Sequence, residues 1–368
     1  MLYPGNTEHY SLRLVYSKND DLVEIEAGPA LEEQVVDEIA ALIQNELLQR
    51  CPDRIANAVL FSAIPLTRAY RFGNEFQILP VPDDLPQLQE IGGPNPFLLE
   101  FRIRGSVAPE IESIRSKCRR NELALLLGAT CVRQIDRGVP TMRQWVIPQT
   151  KLSPRRDSVA GYTGYLSAKL LQVSDNFTNI TNYKTVPQLN LNKYYQSFGM
   201  DNEGTLALPE GIDAAVTNYF ALPDGSKKKF LSAAYWLVHS RAIEQFSFSA
   251  SLVALVSAIE KLMPESEQAG KCGTCNKTLG KGPTRRFKEF VERFAPVDSG
   301  ADKEDYYSLR SRLVHGGFPF RSDVGLSDGA DSDFFVAMVR HHYLGRLVQS
   351  IILNWLLARG PERDAARS

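Results

Sequence analysis

The chain has no surplus of charge, with 42 Lys and Arg against 43 Asp and Glu and a formal net charge of −1. Any contact with a polyanion must therefore come from a local patch rather than from the field of the whole protein. Long apolar runs are also missing. Leu123–Leu127 and Leu252–Val256 fall far short of the ~20 residues that cross a bilayer, so no membrane partner is expected. The opening residues, MLYPGNTEHYSLRL, hold no basic stretch followed by an apolar one and do not read as a secretion signal. Cysteines are few, five in number and scattered (Cys51, Cys118, Cys131, Cys272, Cys275). That argues against a disulfide framework and for a reducing, cytoplasmic location. Internal repeats and low-complexity tracts are absent. The composition is otherwise that of an ordinary folded protein, with 43% hydrophobic and 23% charged residues over 368 positions. This is enough chain for about two domains.

Periodicity divides the sequence into a mixed part and a helical part. In the first, His9–Tyr16 alternates as a strand does, with Leu22–Glu26 a partner across Asn19-Asp20-Asp21. Leu31, Val35, Ile39, Leu42, Ile43 and Leu47 predict a helix over 29–49. Strands are expected at Asn57–Ile64, Arg68–Pro80 and Pro96–Arg104, and a second helix from Pro109 to Leu127 stopping near Gly128. Val132–Ile147 reads as a hairpin about Gly138-Val139-Pro140. This makes an α+β domain over 1–150, followed by a connecting region over 151–205. From 206 to 358 the pattern is all-α, with helices at Asp213–Phe220, Lys227–Gln245, Phe248–Leu262, Thr284–Phe294, Lys303–Val314 and Asp331–Leu357. Phe248–Leu262 is apolar on most sides, as a central helix would be. In the last helix Phe335, Met338, Val339, Tyr343, Leu347, Ile351 and Trp355 trace a core stripe. Residues 359–368 form a polar tail.

Two features carry chemistry. The first is a local surplus of positive charge: Lys271, Lys277, Lys281, Arg285, Arg286, Lys288 and Arg293 against Glu289 and Glu292. Such a patch can meet phosphates, with Lys281, Arg285, Arg286 and Lys288 as the RNA-binding candidates; the plainer reading is a solvated helix face. The second is the run from Tyr306 to Gly317, in which Arg310 and His315 stand five apart at a helix end. On a regular helix they lie about 140° apart. Gly316-Gly317 would let the last turn unwind and bring the two side chains into one pocket. A permanent cation beside an imidazole suits RNA cleavage. The histidine moves protons, the guanidinium neutralises charge building on the phosphoryl oxygens, and the ribose 2′-OH serves as nucleophile without a metal. The plainer reading is that His315 caps the last carbonyls of its helix.

The order of these elements resembles the HEPN superfamily, and within it the Apea-like branch. The apolar helix carries Ala258-Ile259-Glu260, Arg285-Arg286-Phe287 follows, and the motif Arg310-Ser311-Arg312-Leu313-Val314-His315-Gly316 closes the series. The likeness covers roughly residues 210–358. It implies a helical bundle that forms a homodimer, joins two Arg-x4-6-His motifs in one cleft, and acts as a metal-independent endoribonuclease in antiviral defence or as a toxin. Arg310 and His315 would then be catalytic, with Ser311, Arg312 and Glu260 in support. Glu260 would hold Arg310 from the neighbouring helix or be an ordinary solvated glutamate. Ser311 departs from the more polar Asn, Asp or His common at that position. Some members of the superfamily bind nucleic acid or protein without cleaving, which is the alternative reading.

Cys272-Gly-Thr-Cys275 has the spacing of a zinc knuckle and supplies half of a tetrahedral shell. His341 or His342 could add one further ligand, or a second chain could add two. The other readings are unliganded loop cysteines and redox sensing. Catalysis as read above needs no cofactor, and a zinc ion here would be structural.

Overall fold

The computed structural model describes residues 12–16, 22–27, 51–81, 95–106, 109–131, 135–136, 173–244, 246–264, 282–296, 303–315 and 332–359. It also describes residues 34, 38, 41, 320 and 323. Among these are nine strands and eight helices. The strands are β1 (Leu12–Tyr16), β2 (Leu22–Ala27), β3 (Asp53–Ser62), β4 (Tyr70–Phe72), β5 (Phe76–Pro80), β6 (Asn95–Arg104), β7 (Ile135–Asp136), β8 (Gln188–Leu189) and β9 (Leu208–Pro209). The helices are α1 (Pro109–Thr130), α2 (Leu191–Gln196), α3 (Ile212–Ala221), α4 (Asp224–Ile243), α5 (Phe248–Leu262), α6 (Pro283–Phe294), α7 (Lys303–Val314) and α8 (Ser332–Leu357). The chain forms two compact units, 1–54 with 103–115, and 55–102 with 116–368. Among the described residues no helix is long and apolar enough to cross a membrane.

In the first unit β1 and β2 pair antiparallel, Leu12 opposite Ala27, as alternation predicted. Gln34, Glu38 and Ala41, inside the expected helix, are helical and exposed.

The second unit holds a five-stranded sheet in the order β4-β5-β6-β3-β7. Leu98, Leu99, Glu100 and Phe101 are consecutive and all buried. Successive strand residues point to opposite faces, so both faces of the sheet are covered. On one face Ile180 packs against Ala69, Leu79 and Leu98. The buried Glu100 carboxylate fixes the same segment, accepting the Thr178 N–H at 2.9 Å and the Thr178 hydroxyl. The single strand expected over Arg68–Pro80 is instead a hairpin. Gly73 adopts φ +54° at its turn, and Phe76 stacks on Phe72 with ring centroids 4.3 Å apart. The Gly-Asn step at 73–74 was the local signal for that turn. The α1 helix also runs past Gly128 to Thr130, whose hydroxyl donates to the Leu126 carbonyl at 2.9 Å. Of the hairpin expected over Val132–Ile147, only Ile135–Asp136 is described, paired antiparallel to β3.

The Glu122 carboxylate on α1 ties the sheet side of this unit to its helices. It meets Arg119 at 3.1 Å and Lys227 at 2.7 Å and accepts the Tyr219 hydroxyl at 2.7 Å, while Arg119 reaches Glu75 at 2.6 Å. Burial alone would raise the Glu122 pKa; the Lys227 and Tyr219 bonds and the Arg119 charge outweigh it and hold it below the usual value.

The α5 helix is the centre of the bundle and packs against α4, α6, α7 and α8. Nine of its residues are buried, including Leu252, Leu255, Ala258, Ile259 and Leu262. Its first turn is capped twice. The Ser247 hydroxyl accepts from the Ala250 N–H at 3.0 Å, and Asp323 accepts from the N–H groups of Phe248 and Ser249, each at 2.9 Å. These bonds outweigh the upward push of burial and leave the Asp323 carboxyl below its ordinary pKa. A carboxyl depressed in the folded state stabilises above its unfolded value and loses that contribution as pH falls through the folded one. Asp323→Ala is therefore expected to cost about 1 kcal/mol, read as a lower denaturation midpoint at pH 7, with the gap to wild type closing below about pH 4. A gap that persists unchanged at pH 3 would contradict the cap.

The α8 stripe is buried over only half its length. Leu347, Ile351 and Trp355 are in the core, but Phe335, Met338, Val339 and Tyr343 are 53%, 37%, 47% and 58% exposed. The periodicity is real; its N-terminal half faces outward from this single chain.

Candidate functional site

The α7 helix presents its Tyr306, Arg310 and Leu313 positions at i, i+4 and i+7, and these fall on one face. Tyr306 is buried, and Tyr307 beside it rests on Phe287 of α6 with ring centroids 5.1 Å apart. Arg310 is half-buried, and its Nη2 donates to Glu260 Oε2 on α5 at 3.3 Å. Glu260 thus contacts Arg310 from the neighbouring helix while remaining partly exposed. A partly exposed pair of this length adds little stability, about 0–1 kcal/mol, so its effect is to orient the guanidinium. Arg310 Nε is buried and meets no acceptor among the described residues.

His315 is exposed. Its backbone N–H donates to the Ser311 carbonyl at 3.0 Å, so helical bonding continues through this residue rather than unwinding before it. On that path its side chain leaves the helix about 140° from Arg310 and roughly 7.5 Å further along the axis. Gly316 and Gly317 lie outside the described residues. Ser311 is half-buried and Arg312 exposed.

Beside the Glu260–Arg310 pair opens a cleft of about 510 Å³. Four cations line it, Lys228 and Lys229 from α4, Lys261 from α5 and Arg286 from α6, together with Glu260 and Tyr307. Arg286 is placed by donating to the Pro264 carbonyl. Of the predicted phosphate-binding residues that are described, only Arg286 lines this cleft. Arg285 is exposed and pairs with Glu289 one turn on at 3.2 Å, and Lys288 is half-buried. Lys281, Cys272 and Cys275 lie outside the described residues. Among the described residues no group of three or more His, Cys, Asp or Glu side chains is placed to hold a metal ion. Lys228, Lys229, Lys261 and Tyr307 escaped the sequence reading because four separate helices bring the cleft together. Their only local signal was the run Lys227-Lys228-Lys229.

A second constellation looks catalytic and is not. Ser251 Oγ lies 2.6 Å from His341 Nε2, and His341 Nδ1 lies 3.3 Å from Glu244 Oε1. The order serine, histidine, glutamate matches a nucleophile with its base and orienter. The protons say otherwise. The Ser251 hydroxyl donates to the Ser240 carbonyl at 2.7 Å, so its oxygen can only accept from the imidazole. The imidazole Nε2 therefore carries a proton and cannot take one from the serine. Ser251 is also fully buried, away from any substrate. The Nδ1–Glu244 separation suits charge pairing but falls outside hydrogen-bond geometry. Even so, His341 holds the Glu244 carboxyl below its ordinary pKa against the opposing push of burial. The trio locks α4, α5 and α8 together. His342 meets the Phe198 ring at 5.3 Å, and both histidines line one small cavity with Glu244 and Arg346.

None of the protein-family models, curated proteins or solved structures compared with the chain matches it.

Proposed function

We propose that the chain is a metal-independent endoribonuclease of the HEPN kind, acting in antiviral defence or as a toxin. The observation that carries this reading is Arg310. Its guanidinium is held by Glu260, a residue of a cleft lined by four cations, and it keeps one buried N–H without an acceptor among the described residues. An unsatisfied buried donor is costly, and a phosphoryl oxygen is the acceptor an arginine fork suits best. His315, exposed at the end of the same helix, supplies the proton chemistry. In the reaction the ribose 2′-oxygen loses its proton to an imidazole and bonds to phosphorus. The P–O5′ bond breaks and the leaving oxygen takes a proton from an imidazolium. Arg310 neutralises the charge on the phosphoryl oxygens between those events. The products are a 2′,3′-cyclic phosphate and a free 5′-hydroxyl.

On one chain the two side chains diverge, so a shared phosphate needs the Arg310 of one copy and the His315 of another. The exposed apolar stripe Phe335, Met338, Val339 and Tyr343 on α8 supports a homodimer, since such a surface is normally covered. The same divergence favours the second reading, a non-catalytic HEPN module that holds RNA in the cleft. A zinc ion on Cys272 and Cys275 would be structural in either case.

Purified protein incubated with labelled RNA in EDTA separates the two readings. The nuclease gives fragments ending in 2′,3′-cyclic phosphate. Intact RNA with salt-sensitive retention, together with no toxicity on expression in cells, selects the binding module.

A further inference from the structure

The face of α4 that lines the cleft beside Arg310 continues along the helix past Ser232. Lys228 and Ser232 line the cleft, and Tyr235 and His239 follow at spacings of three and four. Steps of four, three and four residues keep all four positions on one face of a helix, within about 60° of each other. From Lys228 to His239 that face runs about 17 Å. Its far end is aromatic. The Tyr235 and His239 rings lie 5.5 Å apart and 7° from parallel, and Trp236 meets each edge-on at 5.7 Å and 6.0 Å. Tyr235 remains 44% exposed, an unusual place for a large aromatic ring with stacked support behind it. Its near end is cationic, with Lys228, Lys229, Lys261 and Arg286 lining one cavity beside the Glu260–Arg310 pair.

A helix face that meets a basic cleft at one end and offers a supported aromatic ring at the other suits a flexible chain of phosphates and unpaired bases. Duplex RNA suits it poorly, because paired bases keep their faces stacked on each other. We infer that the α4 face is a binding track for single-stranded RNA, with backbone phosphates in the basic cleft and an unpaired base on the Tyr235–His239 stack. This rests on the RNA reading given above and adds to it the strandedness of the substrate and the residues that hold it.

The test uses the full-length protein and RNA in which every 2′-oxygen is methylated, so that it cannot be cleaved through that oxygen and binding is read alone. Fluorescence anisotropy with a 12-nucleotide single strand is compared with a duplex of equal length. The single strand is expected to bind at least tenfold more tightly. Tyr235→Ala should weaken the single strand about tenfold and the duplex hardly at all, while Tyr235→Phe retains binding. Lys228→Ala with Lys261→Ala should weaken the single strand and lower the slope of log affinity against log salt by about 1.4. Thermal melting of each variant checks that it is folded. Equal affinity for duplex and single strand, or Tyr235→Ala without effect, overturns the inference. So does displacement of the single strand by an acidic peptide at equal charge concentration, which would make the α4 face a protein-binding surface. The two proposals fail separately. Track binding with no cleavage of unmodified RNA removes the nuclease alone, and cleavage that ignores Tyr235 and Lys228 removes the track alone.

Discussion

Alanine at His315 is expected to lower RNA cleavage by about 100- to 10,000-fold while leaving RNA affinity within about twofold. The residue is exposed at the end of α7, and its one bond through the backbone survives any side chain. Its removal should therefore shift stability by less than about 0.5 kcal/mol, so a lost activity is a lost proton carrier and not a lost fold. Arg310→Ala should cost about 100- to 1,000-fold, because the guanidinium acts only where charge develops. Arg310→Lys should recover little, since a point charge replaces a planar fork. Cleavage rates on one labelled RNA, beside melting curves for all three variants, check both statements. A His315→Ala protein that cleaves at the wild-type rate would remove His315 from the reaction and contradict the proposed mechanism.

His341→Ala is expected to destabilise the fold by about 2–4 kcal/mol. The imidazole is buried among three helices. Its loss opens a cavity, takes the donor from the Ser251 oxygen and leaves Glu244 without its partner. The pH dependence has a definite sign. Glu244 has a depressed pKa in the folded state, led by its interaction with His341. That contribution is complete above the unfolded carboxyl value near 4.3 and is lost as pH falls through the folded value. The wild type should therefore lose stability in acid more steeply than the variant. Denaturant midpoints at pH 7 and pH 3 measure this, and equal midpoints for the two proteins at pH 7 would show that the trio does not hold the helices. Ser251→Ala should leave RNA cleavage unchanged, in keeping with the proton accounting at this site.

How much of this was legible in the sequence depended on the range of the interactions. Phe248–Leu262 is bounded in the structure where its apolar run is bounded, because burial on nearly every side leaves a local compositional record. Lys303–Val314 is likewise bounded as its periodicity predicts. The Gly73 turn inside Arg68–Pro80 was written in two residues and was overridden by the alternation on either side. The α8 stripe was visible in full, but periodicity records only that a face is apolar, not what covers it, and half of that face is exposed on one chain. The basic cleft was only partly legible. Arg286 stood in a visible cluster, whereas Lys228 and Lys261 reach the same cavity from helices whose other faces dominate their patterns. Ser251, His341 and Glu244 were beyond reach, since Ser251 and His341 are 90 residues apart and nothing local marks either as the other's partner.

The account depends on Arg310 of one copy and His315 of another meeting at one phosphate. An Arg310→Ala chain and a His315→Ala chain, carrying different tags and purified together as a heterodimer, test this directly. Such a pair keeps one guanidinium and one imidazole on opposite chains and loses both from the other combination. It should cleave RNA at about half the wild-type rate, while each homodimer is inactive. A heterodimer as inactive as its parents, beside an active wild type, would contradict a site shared between two copies.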